Sequence, residues 1–351
     1  TTHIVVDVNA WFVTAPGQTD PGAATDLDPA FGVDGEAAHA YRAPVGVSVI
    51  GAAKAPNGDT IIALEPAHVE WGCCAKDVGA WSLVRLTADG RLRTTFGTNG
   101  IVPPAPSAGP GTVGSFVALA VGVDASDRTV MVGHIRQSGP EPTGAVLRRT
   151  PSGAADPAFG GDGRVDLESP ALCGTASTSV HDLVVQPDSK VLVTGSCSSA
   201  EHTVALVWRL TTAGGLDTSF GDDGIWAHEF APDSCCTVTV DRLAGGDLIV
   251  SAHLADLHVF RLSPAGQVDT SYAGDGEAVV TQDWVYGGNS LAAVDADGTV
   301  YVDRGVGEVS RLHPDGTVDA AYGTAALAQP APCGYPELLG ALAAAGELLG
   351  L

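Results

Sequence analysis

Read for hydrophobicity alone, the chain alternates short apolar runs with small polar clusters, and the alternation has a long period. The clearest stretch is DLVVQPDSKVLVTG, from Asp182 to Gly195, where two apolar runs flank a polar turn. A third run, VALVWRL, fills 204–210. The TTAGG turn at 211–215 then leads into a fourth run, which carries LDTSFG and continues to Ile225, Trp226 and Ala227. Short runs of β-branched and aromatic residues bounded by Gly, Asp and Pro predict strands, and four in succession predict an antiparallel sheet. The turns share a chemistry: Ala-Asp-Gly at 88–90, Pro-Ser-Gly at 151–153, Pro-Ala-Gly at 264–266 and Pro-Asp-Gly at 314–316. Such residues tolerate the left-handed backbone of a tight hairpin.

The unit returns around one phrase, Leu-Asp-x-x-Phe-Gly-x-x-Gly. It reads LDPAFGVDG from Leu27, LRTTFGTNG from Leu92, ADPAFGGDG from Ala155 and LDTSFGDDG from Leu216, then decays to VDTSYAGDG from Val268 and VDAAYGT from Val318. Its aromatic residues, Phe31, Phe96, Phe159, Phe220, Tyr272 and Tyr322, stand 65, 63, 61, 52 and 50 residues apart, and the two chain ends together supply a further 60. Ends that jointly make one more repeat favour a closed ring over an open solenoid. The expectation is all-β: a single-domain, six-bladed β-propeller over 1–351 with four-stranded antiparallel blades. In the last blade, 338–343 and 347–351 are expected as inner strands and 4–13 and 27–38 as outer ones. The N-terminal strands of 1–40 thereby complete the blade begun by 337–351 and clasp the ring. The Ala-, Leu- and Glu-rich composition of 337–351 also suits a helix, and the repeat register favours strands.

This pattern of apolar strand, Pro-Asp-Gly-like turn, apolar strand, loop, Arg-Leu-x-x-x-Gly and Leu-Asp-x-x-Phe-Gly-x-x-Gly resembles the delta-sixty repeat, a bacterial propeller-forming family. The resemblance covers nearly the whole chain. It departs in the second copy, where Arg93 replaces Asp, and in the last two, where Tyr replaces Phe. It implies a propeller of the kind found in large secreted or surface proteins, and implies no particular chemistry.

Composition narrows the partners. With 41 acidic and 17 basic residues the net charge is −24, which disfavours nucleic acid and anionic membrane surfaces. No apolar run is long enough to span a membrane, so no membrane insertion is expected. The chain begins at Thr1 without Met or a signal-like segment, which reads as a processed or partial product. Seven cysteines point to an oxidising compartment, extracellular or cell-surface with the periplasm as an alternative. In the expected fold all seven fall in loops of one face: Cys73, Cys74 and Cys197 between second and third strands, and Cys173, Cys235, Cys236 and Cys333 between blades. Cys173 and Cys197 bracket one inner hairpin and are expected to pair. Cys73–Cys74 and Cys235–Cys236 are adjacent, and their pairing stays open between vicinal bonds and bridges to neighbours. Zinc-type Cys-x₂-Cys spacing is absent.

Two repeated positions carry opposite charge: Arg85, Arg148, Arg209, Arg261 and Arg311 at one, Asp28, Asp156, Asp217, Asp269 and Asp319 at the other. Guanidinium–carboxylate bridges within or between blades are expected, with a structural role. The turns containing Asp34, Asp162 and Asp223 offer too few carboxylates for a full Ca²⁺ cage, so no cofactor is expected, with Ca²⁺ as the one candidate. His134, His181, Asp182, Glu201 and His202 could together line a propeller mouth as metal ligands. Trp71, in the long 65–80 loop, and Trp284 and Tyr286, in the 281–289 loop, are candidate contact anchors. Motifs of serine hydrolases, zinc proteases and phosphate-binding loops are absent. The expected function is therefore binding or scaffolding: an extracytoplasmic propeller presenting disulfide-pinned loops to a protein or glycan partner through Trp71, Trp284, Tyr286, His181 and His202. The alternatives are a metal-assisted hydrolase or lactonase-like enzyme with its site in the ring mouth, and a structural module of a larger surface protein. Whether the chain is an enzyme, and in what oligomeric state it works, are not legible.

Overall fold

The computed structural model describes residues 2–6, 37–41, 47–66, 81–103, 116–135, 143–174, 176, 178–232, 237–281, 291–295, 297–303, 308–322 and 325–326. Strands β1 (Thr2–Val6) and β2 (Ala37–Tyr41) form an antiparallel pair. Five four-stranded antiparallel sheets follow in chain order. The first holds β3 (Val47–Lys54), β4 (Thr60–Pro66), β5 (Ser82–Leu86) and β6 (Ile101–Val102). The second holds β7 (Phe116–Val123), β8 (Thr129–Ile135), β9 (Thr143–Arg149) and β10 (Arg164–Asp166). The third holds β11 (Thr178–Val185), β12 (Val191–Ser198), β13 (Thr203–Leu210) and β14 (Ile225–Phe230). The fourth holds β15 (Thr237–Arg242), β16 (Leu248–His253), β17 (Leu257–Leu262) and β18 (Glu277–Val280), and the fifth β19 (Leu291–Val294), β20 (Val300–Asp303), β21 (Glu308–Leu312) and β22 (Ala325–Ala326).

Each sheet is a simple meander, and the first strand of each lies beside the first strand of the next: β3 by β7, β7 by β11, β11 by β15, β15 by β19. Sheets stacked this way bury both faces of their middle strands. All eight residues of β13 are buried, as are seven of the eight in β12, which is why 191–193 and 204–208 are continuous apolar runs rather than alternating ones. The architecture is that of β-propeller blades.

The repeated phrase does not lie where its apolar residues suggest. It is a compact turn between the third and fourth strands, and the fourth strand of the third blade begins only at Ile225. Local bonds consume its backbone: Phe220 N–H donates to the Asp217 carbonyl, Gly224 N–H to that of Phe220, and the Ser219 N–H to Asp217 Oδ1. In the N-terminal pair the described strands are Thr2–Val6 and Ala37–Tyr41, and the rest of the expected outer strands, 7–36, lies outside the described residues. The expected inner strands at 338–343 and 347–351 lie outside the described residues.

That turn fastens one blade to the next. Phe96, Phe159 and Phe220 are fully buried and Tyr272 nearly so. A blade's own arginine covers the ring, Arg148 at 4.5 Å from the Phe159 centroid and Arg209 at 4.6 Å from that of Phe220. The hairpin glycine of the following blade presses close to it. A Cβ on Gly214 would sit 3.2 Å from Phe159, and one on Gly266 2.7 Å from Phe220. The residue after the aromatic then donates its N–H into the next blade: Gly97 to Ser152 (2.8 Å), Gly160 to Ala213 (3.0 Å), Gly221 to Ala265 (2.8 Å) and Ala273 to Asp315 (2.6 Å). Arg148 and Arg209 also donate to the Thr212 and Pro264 carbonyls of the following blade.

The expected Arg–Asp bridges are present at Arg148–Asp156 (2.7 Å), Arg209–Asp217 (2.7 Å) and Arg311–Asp319 (2.9 Å). Asp28 lies outside the described residues. In the fourth blade Arg261 prefers Asp247 at 2.6 Å and stands 3.7 Å from Asp269. The first blade inverts the pattern. Arg93 occupies the acidic position, and the carboxylate comes instead from Asp59 in the β3–β4 turn, 2.7 Å from Arg85 and 2.8 Å from Arg93. At the position of Asp59 the second and third blades carry Arg128 and Lys190, which face Asp156 (3.8 Å) and Asp217 (2.8 Å). One pair of positions thus appears in both charge polarities within a single chain.

Candidate functional site

Two regions outside the repeating turns combine irregular backbone with polar side chains. The first is the connection from β10 to β11, where Ala171–Cys173 forms a single 3-10 turn. Cys173 is bonded to Cys197, with Cα atoms 5.9 Å apart and both residues buried. The expected pair is therefore formed, although Cys197 sits inside β12, opposite Val204, rather than in a loop. His202, beyond the end of β12, braces the same turn. Its Nε2 lies 3.1 Å from the Leu172 carbonyl, and its Nδ1 lies 3.8 Å from Glu229 of β14. Ser199 Oγ holds the β12–β13 loop by accepting the N–H groups of Glu201 and His202, both at 3.2 Å. The result is a fixed ledge from which Leu172 projects, 42% exposed.

The second region lies on the first strands of the third and fourth blades. β11 carries a bulge between Val180 and Leu183, where His181 and Asp182 together oppose Thr194. His181 Nδ1 accepts the N–H of Val238 in the next blade at 2.9 Å, and its Nε2 faces Ser196 Oγ at 3.4 Å. Burial, with His134 nearby, pushes His181 down to about 4. His134 is itself lowered by burial and bonds the Val180 backbone, and its Nδ1 has no hydrogen-bond partner among the described residues. Burial holds the carboxyls of Asp182 and Asp241 up to about 6, and Asp182 adds to the effect on Asp241. Asp241 was not singled out in the sequence. Counting back from the β15–β16 turn places it on the first strand, where a charged residue interrupts an otherwise uncharged position of the repeat.

The five residues considered together as a mouth cluster therefore divide by their contacts. His134, His181 and Asp182 belong to the inner-strand region, whereas Glu201 and His202 belong to the disulfide ledge. No group of three or more His, Cys, Asp or Glu placed to hold a metal occurs among the described residues. Asp162, one of the Ca²⁺ candidates, accepts the Arg164 N–H at 3.0 Å. Trp71, Trp284, Tyr286, Cys73, Cys74, Cys235, Cys236 and Cys333 lie outside the described residues, as does the turn of Asp34. No helix of the described residues is long and apolar enough to cross a membrane.

The blade architecture is matched by a family model described as a domain of unknown function (DUF5122) beta-propeller, over residues 186–220. That span runs from the β11–β12 turn to the phrase, and so contains Lys190, Arg209, Asp217 and Phe220. No curated protein matches the chain. Among solved structures it is similar to a protein of unknown function from Bacteroides caccae (12% identity, TM-score 0.37, 79% of this chain and 82% of that one). It is also similar to the Vanderwaltozyma polyspora Nup133 β-propeller domain (9%, TM-score 0.37, 78% and 70%). A third is a Penicillium chrysogenum α-L-arabinanase complexed with arabinobiose (10%, TM-score 0.41, 75% and 77%).

Proposed function

We propose that this chain is an extracytoplasmic, six-bladed propeller, closed by its N-terminal strands, that binds a protein or glycan partner through the face bearing its disulfide. The observation that carries this reading is the contrast between the two kinds of connection. The hairpin turns and phrases are occupied in fastening blade to blade, so their side chains are spent on the fold. The connection at Ala171–Cys173 is instead irregular, covalently tied to β12 and braced by His202, yet it ends in an exposed leucine. A preorganised loop with an outward apolar residue loses little entropy on binding. Trp71, between β4 and β5, and Trp284 and Tyr286, between β18 and β19, extend the proposed surface. A disulfide fits an oxidising, extracellular setting.

The test is binding of purified chain to arrays of glycans and of envelope-derived peptides, with wild type, Leu172→Asp, Trp71→Ala and Trp284→Ala compared. A ligand retained by wild type, lost in Leu172→Asp and in at least one Trp variant at unchanged melting temperature, supports the reading. A ligand held equally by all four contradicts it.

The raised carboxyls of Asp182 and Asp241 favour a second reading, a hydrolase with its site at the inner strands. That reading demands a turnover activity abolished by Asp182→Asn and Asp241→Asn, and by chelation if a metal such as Ca²⁺ is involved.

A further inference from the structure

β15 is the first strand of its blade and, among the described residues, pairs only with β16. Strands on such an edge carry peptide groups that the sheet does not satisfy. At Val238 both are taken up by side chains of the preceding blade. His181 Nδ1 accepts the Val238 N–H at 2.9 Å, and Thr194 Oγ donates to the Val238 carbonyl at 2.6 Å. The bulge in β11 is what brings the imidazole across the seam, and Thr194 also contacts the bulge through the Asp182 N–H at 3.1 Å. Only a neutral imidazole has a lone pair on Nδ1, so this contact and a protonated His181 exclude each other.

We propose that the seam between the third and fourth blades is an acid-operated clip, in which protonation of His181 removes the acceptor for the Val238 N–H and loosens β15 from β11. The proton arrives on Nδ1 and places one N–H against another, while the Thr194 bond to the carbonyl persists. The seam therefore loosens at one point and does not part.

The titratable groups around His181 leave the new charge unopposed. Among the described residues they are His134 on β8, which acts on it directly, Asp182 beside it on β11, and Asp241 on β15, which is coupled to Asp182; its remaining polar contact, Ser196 of β12, is neutral. By the pH at which His181 takes its proton, about 4, the carboxyls of Asp182 and Asp241, held near 6, are already neutral. Neither supplies a counter-charge, and His134 adds repulsion if it protonates.

Amide hydrogen exchange at Val238 reads the clip directly, with Val207 of β13 as the control for global opening. Asn at position 181 offers an oxygen near the place of Nδ1 but does not titrate. Between pH 7 and pH 3.5, after correction for intrinsic rates, Val238 protection in wild type should fall tenfold or more while that of Val207 holds. In His181→Asn it should stay level. Equal behaviour of Val238 in the two proteins, or parallel loss at Val238 and Val207, overturns the proposal. Should the variant not fold, ring ¹⁵N shifts of His181 in wild type decide: a proton confined to Nε2 down to pH 5 sustains the clip, and a proton on Nδ1 at neutral pH refutes it.

Discussion

Several side chains have an environment that a single atom would complete or relieve, and the other copies of the repeat show which atom. Arg209 Nη2 is met by Ser219 Oγ at 3.0 Å, whereas Arg148 Nη2, buried in the same place one blade earlier, has no partner among the described residues; the residue corresponding to Ser219 is Ala158. Ala158→Ser should supply the missing acceptor and raise unfolding free energy by about 1 kcal/mol, measurable by urea denaturation. Tyr272 carries a buried hydroxyl without a partner among the described residues where four other copies have Phe, and Ala273 follows it at φ 54° where they have glycine. A Cβ resists left-handed backbone, and an unmatched buried hydroxyl costs its lost hydration. Tyr272→Phe with Ala273→Gly should therefore stabilise by roughly 1–3 kcal/mol; a loss of stability would contradict the latch geometry.

The pH dependence also belongs to single residues. His181 lies below its ordinary value, so the unfolded chain binds the extra proton and this contribution is lost as pH falls from about 6.5 toward 4. Asp182 and Asp241 lie above theirs, so their contribution runs the other way and is lost as pH rises from about 4 through 6. Asp241→Asn should accordingly stabilise the protein at pH 8, by roughly 1–3 kcal/mol, and leave it nearly unchanged at pH 3.5. Thermal denaturation at the two pH values distinguishes this from a uniform effect.

At the level of elements, the disulfide and the charge pairs set how loops and blades are held. The Cys173–Cys197 bond closes a loop with a sequence separation of 24, which in the chain-entropy account is worth about 3 kcal/mol. Replacing both cysteines by Ser should cost about that much and expose the ledge to proteolysis; an unchanged midpoint would mean the ledge is held by packing and His202 alone. The inverted pair of the first blade makes a sharper prediction. Arg93→Asp sets a second carboxylate beside Asp59 and should destabilise strongly, whereas Arg93→Asp with Asp59→Lys reproduces the Lys190–Asp217 arrangement and should recover most of the loss. A double variant no better than the single would show that the two positions are not coupled.

Strands and turns of the central blades were legible because period and turn chemistry coincide there: the apolar runs at 182–195 and 204–210 are β11, β12 and β13 within a few residues. The phrase misled because Leu216 and Phe220 look like strand residues. Phe220 is buried between its own blade's Arg209 and the hairpin of the next blade, and local order around it comes from Asp217 and the left-handed glycines. Contacts between blades are invisible to periodicity, and for the same reason Arg93 read as a lapse in the repeat when it is half of an inverted ion pair. Asp241 went unnoticed because one carboxylate in a strand carries no pattern; its significance depends on Asp182, far away in sequence.

For the whole molecule the decisive question is whether the ring closes. Each latch joins an aromatic residue of one blade to the hairpin of the next, and Tyr322 of the fifth blade already stacks under Arg311 at 4.5 Å. A sixth blade made from both chain ends would receive Tyr322 on one side and, through Phe31, seize the first blade on the other. The measurement that tests this most directly is a crystal structure of the intact chain. The account predicts six blades, with β1 and β2 as the outer strands of a sheet whose inner strands come from 338–351. Five blades, or a helix at 338–351 beside an unattached β1–β2 pair, would contradict it.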